Sequence, residues 1–455
     1  MWDVAVVGAG LAGCAAALAA SEAGASVLLL ESEAKPGGNS RISAGLVALA
    51  GTGLQAAAEV EDSPDRLFDD LRTTGGGAND PALVRAYADG QADLQAWFRR
   101  YGISFTALDR GAGQSVARAH QTDARSALGT LVDVVHSSGI TLRTGARVLR
   151  LHPTPQGLRL KTGAGTETAL AVVLATGGFA ASDELLAVFA PEQRSAIRVG
   201  MPGCRGDGLR MGWALGAGMR DMGSIKGTFG AHADSGGAAY YASLAFYMGG
   251  IVVNRDARRF VNEELPYKLL GEACLRQPGG TAFQVFDDTI MRRSEPGLPL
   301  FDPMAQHRAG RVHAAPDLSG LANECGLDPD RLELTVTDYN AGIGTGRDAW
   351  GRIGLCNGSG VLVPLRHPPF YAFPCSTALL ATYCGLRVNP EGQVLDVWDQ
   401  PIAGLFAAGE AAGGFHGAAY MTGAALGAAA FFGDRAGRTA AKHAAGSQEQ
   451  QGRST

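Results

Sequence analysis

Residues 2–31 read WDVAVVGAGLAGCAAALAASEAGASVLLLE. The apolar run at 3–7, rich in β-branched residues, predicts a short strand, and the Ala-rich stretch 11–20 predicts a helix. Between them Gly8, Gly10 and Gly13 stand in G-x-G-x-x-G spacing, and a second apolar run at 26–30 ends in Glu31. Each glycine has a physical task in a nucleotide-binding turn. Gly8 permits the sharp bend, Gly10 lets backbone N–H groups approach a pyrophosphate, and Gly13 lets helix and strand pack closely. Glu31 is placed to accept hydrogen bonds from an adenosine ribose. With 65 glycines in the chain the spacing alone is weak, and a glycine-rich turn without a ligand would also explain it. The strand before, the helix after and the acid closing the second strand decide for a dinucleotide.

The next stretch, KPGGNSRISAGLV at 35–47, chooses among dinucleotides. A nicotinamide-binding unit would continue from the acid into a helix, whereas Pro36, Gly37 and Gly38 force a loop with exposed N–H groups. That favours a flavin.

A chain of 455 residues can bury a large core and predicts two or three domains. Its hydrophobic content of 46%, charged content of 18% and net charge of −5 offer no basic surplus for nucleic acid or anionic lipid. Seven cysteines are scattered without a C-x-x-C pair or a Cys/His cluster, which predicts reduced thiols, no structural metal and a cytoplasmic location. The first strand starts too early to leave room for a signal peptide. Residues 413–433 are apolar but interrupted by His416, Tyr420, Thr422 and several glycines, so they predict a buried segment and no membrane span.

Along the rest of the chain, 63–101 is helical in pattern, with Asp and Pro opening two runs of apolar residues at three- and four-residue spacing. Strands are predicted at 103–108, 141–151, 158–162 and 169–175, and a helix at 125–137. The run at 169–175 leads into ATGGF, whose glycines suit a chain passing close under a cofactor. RGDGLRMGWALGAG at 205–218 is an acid–glycine loop running into a helix. Between 222 and 366 the texture turns aromatic and glycine-rich and no dinucleotide signature recurs, which predicts an inserted second domain. A strand–turn–strand at 386–396 and PIAGLFAAGEAAGG at 401–414 return the chain to the nucleotide domain. A last helix at 423–436 is predicted to aim its N-terminal N–H groups at the electron-rich end of a flavin. The predicted architecture is α/β: a Rossmann-like FAD-binding domain from 1–221 and 367–444, an inserted α+β domain at 222–366, and a disordered polar tail at 445–455.

The set VVGAGLAG, Glu31, GGNSRISAG, LATGGF, GDGLRMG, GGIVVNRDARRFVNEE, GLFAAGEAAGG and GAALGAAAFFGDRAG spans nearly the whole chain. It resembles the flavoprotein superfamily of soluble fumarate reductases and 3-ketosteroid Δ1-dehydrogenases. The resemblance implies a GR2-type FAD domain of nonadjacent segments, a capping domain between them, an active site in the cleft, and chemistry on a C–C bond beside a carbonyl. It implies FAD contacts from Gly8, Gly10, Leu11, Ala12 and Gly13, from Glu31 and Ser32, and from Gly38, Asn39, Ser40, Ser43, Ala44 and Gly45. Further contacts are implied for Val148, for Ala175, Thr176 and Gly177, for Asp207, for Gly409 and Glu410, and for Ala425 and Leu426. Covalent relatives anchor the flavin through a histidine in the GGNSRISAG loop; none stands there, so noncovalent FAD is expected.

The two branches of that superfamily differ at two positions. Fumarate reductases place an Arg four residues after the Glu of R-F-x-x-E, to deliver a proton, and another before the last helix, to clamp a carboxylate; here those places hold Tyr267 and Tyr420. Their His-Thr-x-Gly segment falls at 381–385 with Ala381 in place of the His, and their proton relay falls near Phe246 and Ser243. A carboxylate buried without its cation costs several kcal/mol, and a phenol does not imitate a bidentate guanidinium. Ketosteroid dehydrogenases carry tyrosines at both places. The resemblance thus implies that Tyr267, as phenolate or through a relay, takes the proton α to a carbonyl, that Tyr420 and a backbone N–H near Gly423 or Ala424 hold the carbonyl oxygen, and that flavin N5 takes the β hydride. The closing Tyr-Pro-Gly-x-Gly of that branch reads Tyr420-Met421-Thr422-Gly423-Ala424, and the tyrosine assisting the base is one of Tyr101, Tyr241, Tyr247 and Tyr383.

The expected activity is FAD-dependent α,β-desaturation of a ketone, either a small cyclic one or a 3-ketosteroid, coupled to an unidentified electron acceptor. A second reading, turnover of an unsaturated carboxylate, draws on Lys268, Arg347 and Arg387 as cations. A third is a flavin-binding redox partner without substrate chemistry. His120 and His416 are expected in structural or cofactor-adjacent places.

Overall fold

The structure, a computed structural model, describes residues 1–225, 227–296, 298–355 and 360–452, with side chains described through 449. Cys356 lies outside the described residues. Two compact units form: Met1–Phe189 with Gly200–Ile225 and Ala381–Thr455, and Ala190–Val199 with Lys226–Leu380.

In the first unit, strand β1 (Trp2–Val7), helix α1 (Leu11–Glu22) and strand β2 (Val27–Leu30) follow the predicted order. β1 lies between β2 and Thr166–Leu174; Pro401–Ala407 and Thr141–Arg143 flank these, and all five run parallel. Gln393–Leu395 adds an antiparallel edge beside Pro401–Ala407. Strands buried on both faces must be apolar throughout, which is why VLLL and ALAVVL show no alternation. The predicted strand at 141–151 is two elements. Thr141–Arg143 joins the parallel sheet, the chain turns at Gly145 (φ +64°), and Val148–Thr154 pairs antiparallel with Gly157–Thr162. The strand predicted at 103–108 is reduced to Ala107–Asp109, in a small sheet with Ala119–Gln121 and Leu46–Ala48.

α1 is buried on all sides from Leu11 to Ala20 and crosses the last helix, Ala424–Gly452. A Cβ on Gly433 would stand 2.5 Å from the Ala12 carbonyl oxygen, and one on Gly437 2.1 Å from that of Ala16. Backbones this close exclude side chains, which accounts for the Ala and Gly content of both helices. The last helix continues well past the predicted end at 436, and the expected disordered tail is helical through Gly452. Its Ala, Lys, Gln and Glu residues are strong helix formers, and Arg438 ties it to Glu22 of α1.

In the second unit Phe370–Leu379 is the hub of an antiparallel sheet, pairing with Thr281–Asp287, Thr228–Ala231 and His313–Ala315 and, in parallel, with Ile197–Arg198. Ile251–Val253 lies outside Thr281–Asp287. These pairings move 367–380 and 190–199 out of the nucleotide domain to which sequence reading gave them. Phe229, Phe246, Phe286, Phe373 and Tyr339 fill the core beneath the sheet.

Candidate functional site

A cavity opens in the first unit where the ends of β1 and β2 meet the start of α1. Its lining gathers Gly8, Gly10, Leu11, Ala12, Glu31, Ser32, Gly38, Asn39, Ser40, Val148, Ala175, Thr176, Gly177, Asp207, Gly409 and Glu410 from separated segments of chain. Glu33, Arg147, Met201, Gly203, Cys204 and Ala429 also line it and were missed from sequence. Glu33 adjoins a predicted contact, whereas no motif marks Arg147, which grips Asp207 through two 2.7 Å hydrogen bonds.

The glycines divide their work. Gly8 (φ +101°) has no room for a Cβ, which would stand 2.4 Å from the Ala175 carbonyl oxygen, and a Cβ on Gly13 would stand 1.8 Å from the carbonyl oxygen of Gly8. At Gly10 a Cβ would meet no protein atom closer than 3.7 Å. Its missing side chain therefore serves the cavity rather than the packing, as a site for a pyrophosphate requires. Glu31 is buried and accepts from the N–H groups of Ala9 (2.8 Å) and Glu33 (2.9 Å), which fixes an acceptor-only carboxylate at the wall where a ribose would bind. The donors and acceptors present thus fit FAD. Gly13, Ser43, Ala44, Gly45, Ala425 and Leu426 lie off this lining. Gly45 (φ +74°) packs against the Thr122 carbonyl, and Ser43 donates to the Ser40 carbonyl at 2.9 Å. Gly178 of ATGGF also serves packing, because a Cβ there would stand 2.1 Å from Glu410 Oε1.

Tyr420 precedes the last helix. Its hydroxyl oxygen accepts the N–H of Gly423 at 2.9 Å, and the Ala425 N–H acts on it electrostatically. The Gly423 N–H, expected to reach a substrate oxygen, is committed to Tyr420, and the helix N-terminus faces a phenol of its own chain. With the oxygen accepting from the helix N-terminus, the phenolic hydrogen is left to donate away from the helix. Burial raises the Tyr420 pKa, the two N–H groups work in the opposite direction, and the net shift is upward. The group is therefore a neutral donor at ordinary pH. Tyr383 stacks on it, with ring centroids 4.8 Å apart and planes 13° from parallel, and His416 meets Tyr383 edge-on at 4.8 Å. All three rings are half-buried. The other tyrosines considered as assistants stand elsewhere: Tyr101 donates to Glu22, Tyr247 to the Leu265 carbonyl, and Tyr241 lies under Arg311.

Tyr267 belongs to the second unit. It opens the helix Tyr267–Leu275 after Pro266, half-buried against the aromatic core, with buried Lys268 Nζ 6.0 Å from its ring centroid and 2.8 Å from Thr228 Oγ1. The turn before it is anchored by a buried ion group. Glu263 accepts from the Val252 N–H and from Arg259 at 2.9 and 2.6 Å, and Arg259 also pairs with Asp348 at 2.5 Å. Burial works against the charge on Arg259, but the two acids outweigh it and its pKa rises. Burial likewise opposes the Asp348 carboxylate, and hydrogen bonding from Arg259 outweighs it and lowers that pKa. Arg387 is paired with Asp399, and both nitrogens of His120 are engaged, by Thr52 Oγ1 and the Arg118 carbonyl. Among the described residues no group of His, Cys, Asp and Glu could hold a metal, and no helix is long and apolar enough to cross a membrane.

Known proteins agree with the cavity. The family described as FAD binding domain matches residues 3–426. The chain is 32% identical to the fumarate reductase (cytochrome) of Shewanella frigidimarina, over 97% of this chain and 77% of that one. It is 29% identical to the 4-oxocyclohexanecarboxylate 2-dehydrogenase of Sinomonas cyclohexanicum, over 98% and 94%. The solved 3-ketosteroid-Δ4-(5α)-dehydrogenase of Rhodococcus jostii RHA1 superimposes with a TM-score of 0.78 at 26% identity, over 97% of this chain and 96% of that one. The pyrophosphate turn, the ribose acid and these likenesses lead to one statement: the chain belongs to the FAD binding domain family, as an FAD-dependent oxidoreductase related to the fumarate reductases that acts on CH–CH groups.

Proposed function

We propose that the protein catalyses α,β-desaturation of a small cyclic ketone, with noncovalently held FAD. The observation that carries this is the hydroxyl of Tyr420, which accepts the Gly423 N–H at the helix N-terminus and keeps its hydrogen to donate to a neutral carbonyl oxygen. As the α proton leaves, negative charge develops on that oxygen, and a phenol backed by two N–H dipoles stabilises it more than it stabilises the ground state. Tyr267, as phenolate or through a relay that carries its proton away, is assigned the α proton. Bound FAD supplies the two-electron acceptor for the β hydride, leaving an enone, and an unidentified acceptor then takes the electrons onward. The tyrosines at the two arginine positions of fumarate reductases and the ketone named in the Sinomonas relative support this reading. The free cysteines are in keeping with a cytoplasmic setting.

Anaerobic mixing of the yellow protein with cyclic ketones should bleach the flavin band, and Tyr267→Phe should abolish the bleaching while leaving the resting spectrum intact. Full activity in Tyr267→Phe would remove its assignment. The 32% identity to a fumarate reductase supports a second reading, turnover of an unsaturated carboxylate. Reoxidation of the reduced flavin by an enoate, with competitive inhibition by short dicarboxylates, would select that one.

A further inference from the structure

Tyr383, one of the four tyrosines considered for assisting the base, has a strained backbone. Its φ is +53°, in the left-handed region that bulky residues avoid. The surrounding chain imposes this. Thr382 is fully buried and gives both its N–H (2.6 Å) and its hydroxyl (3.1 Å) to Glu410 Oε1. On the other side, Gly385 lies so close to the Ala411 carbonyl that a Cβ would stand 2.3 Å away. A conformation held from both flanks points to a use for the side chain it presents. That side chain is a ring laid parallel to Tyr420, with His416 set edge-on beside it.

We infer that Tyr383 is a positioning and specificity residue for a flat six-membered cyclic ketone. The stack covers one face of the Tyr420 ring while the helix N-terminus fixes its oxygen, so the phenol can neither flip nor tilt and its hydrogen keeps one direction. Tyr383 and Tyr420, half-buried and with planes 13° from parallel, present a flat apolar wall, which His416 borders at 67° and 56° to the two rings. Such a wall buries the face of a ring ketone, whereas an open-chain ketone offers less flat area and loses more rotor freedom on binding. The specificity rests on the ketone reading given above; the stack does not.

Two variants test this. Tyr383→Gly removes the ring and suits the positive φ, and Tyr383→Phe keeps the ring without the hydroxyl. In holoprotein labelled with 3-fluorotyrosine, the fluorine resonance of Tyr420 is assigned by its loss in Tyr420→Phe. It should shift in Tyr383→Gly and stay in place in Tyr383→Phe. The ratio of kcat/KM for cyclohexanone to that for 2-hexanone should fall by roughly fivefold or more in Tyr383→Gly and by less than about twofold in Tyr383→Phe. An unmoved resonance in Tyr383→Gly overturns the positioning role, and an unchanged ratio overturns the specificity. A wild-type protein that turns over neither ketone while the resonance still moves removes the ketone reading and its specificity, and leaves the positioning of Tyr420 supported.

Discussion

At Tyr420 the chain spends the Gly423 N–H, at the entry to its last helix, on a side chain, and the consequence is a donor with a preset direction. Tyr420→Phe should therefore lower kcat on a ketone by about 10²–10³-fold, the usual loss of one donor at a developing oxyanion, with FAD content unchanged. Because burial raises the pKa of this phenol, the neutral donor form persists beyond the ordinary tyrosine range. The alkaline limb of the rate profile that Tyr420→Phe removes should accordingly lie above about pH 10. Tyr267 and Tyr420 were legible in the sequence because each stands at a countable distance from a motif. Tyr383 was legible only as one of four candidates for assisting the base: its backbone is held by the bond from Thr382 to a carboxylate 28 residues beyond that threonine, and no local pattern marks a tyrosine for the left-handed region.

Among the elements, the crossing of α1 and the last helix carries the strictest steric demand. A Cβ at Gly437 would sit 2.1 Å from the Ala16 carbonyl oxygen, and the atom it meets is backbone. Gly437→Val should thus cost about 1–3 kcal/mol or more and lower the melting temperature, while a substitution at the open Gly446 should leave it nearly unchanged. β1, α1 and β2 could be read from sequence because strand, turn and helix signals fall within 30 residues and agree. The length of the last helix could not, because glycines and polar residues after Ala436 resemble a tail until α1 is seen to need them. Nor could the allegiance of 190–199, which hangs on Ile197 pairing with Ala378 across the sequence. Local pattern says that a strand exists; it does not say which strand it will find.

At the scale of the molecule, each unit carries its own source of stability. In the second, Arg259 links the buried carboxylates of Glu263 and Asp348, so Arg259→Leu should leave Asp348 without its ion partner and Glu263 with only Arg352 at 3.5 Å, and cost about 3–5 kcal/mol in a denaturant melt. The Asp348 pKa is depressed in the folded state, so its contribution is complete above the unfolded value near 4 and is lost as pH falls through the lower folded value. Thermal melts of wild type should weaken below about pH 4, and Asp348→Asn should flatten that acid limb. The first unit is assembled from both ends of the chain, and Gly409, Glu410 and Ala429 complete the cavity that β1 begins. A ribosome thus makes the phosphate turn hundreds of residues before the wall that encloses the flavin. Cofactor capture must wait for that wall, and nascent chains arrested before Gly409 should emerge colourless.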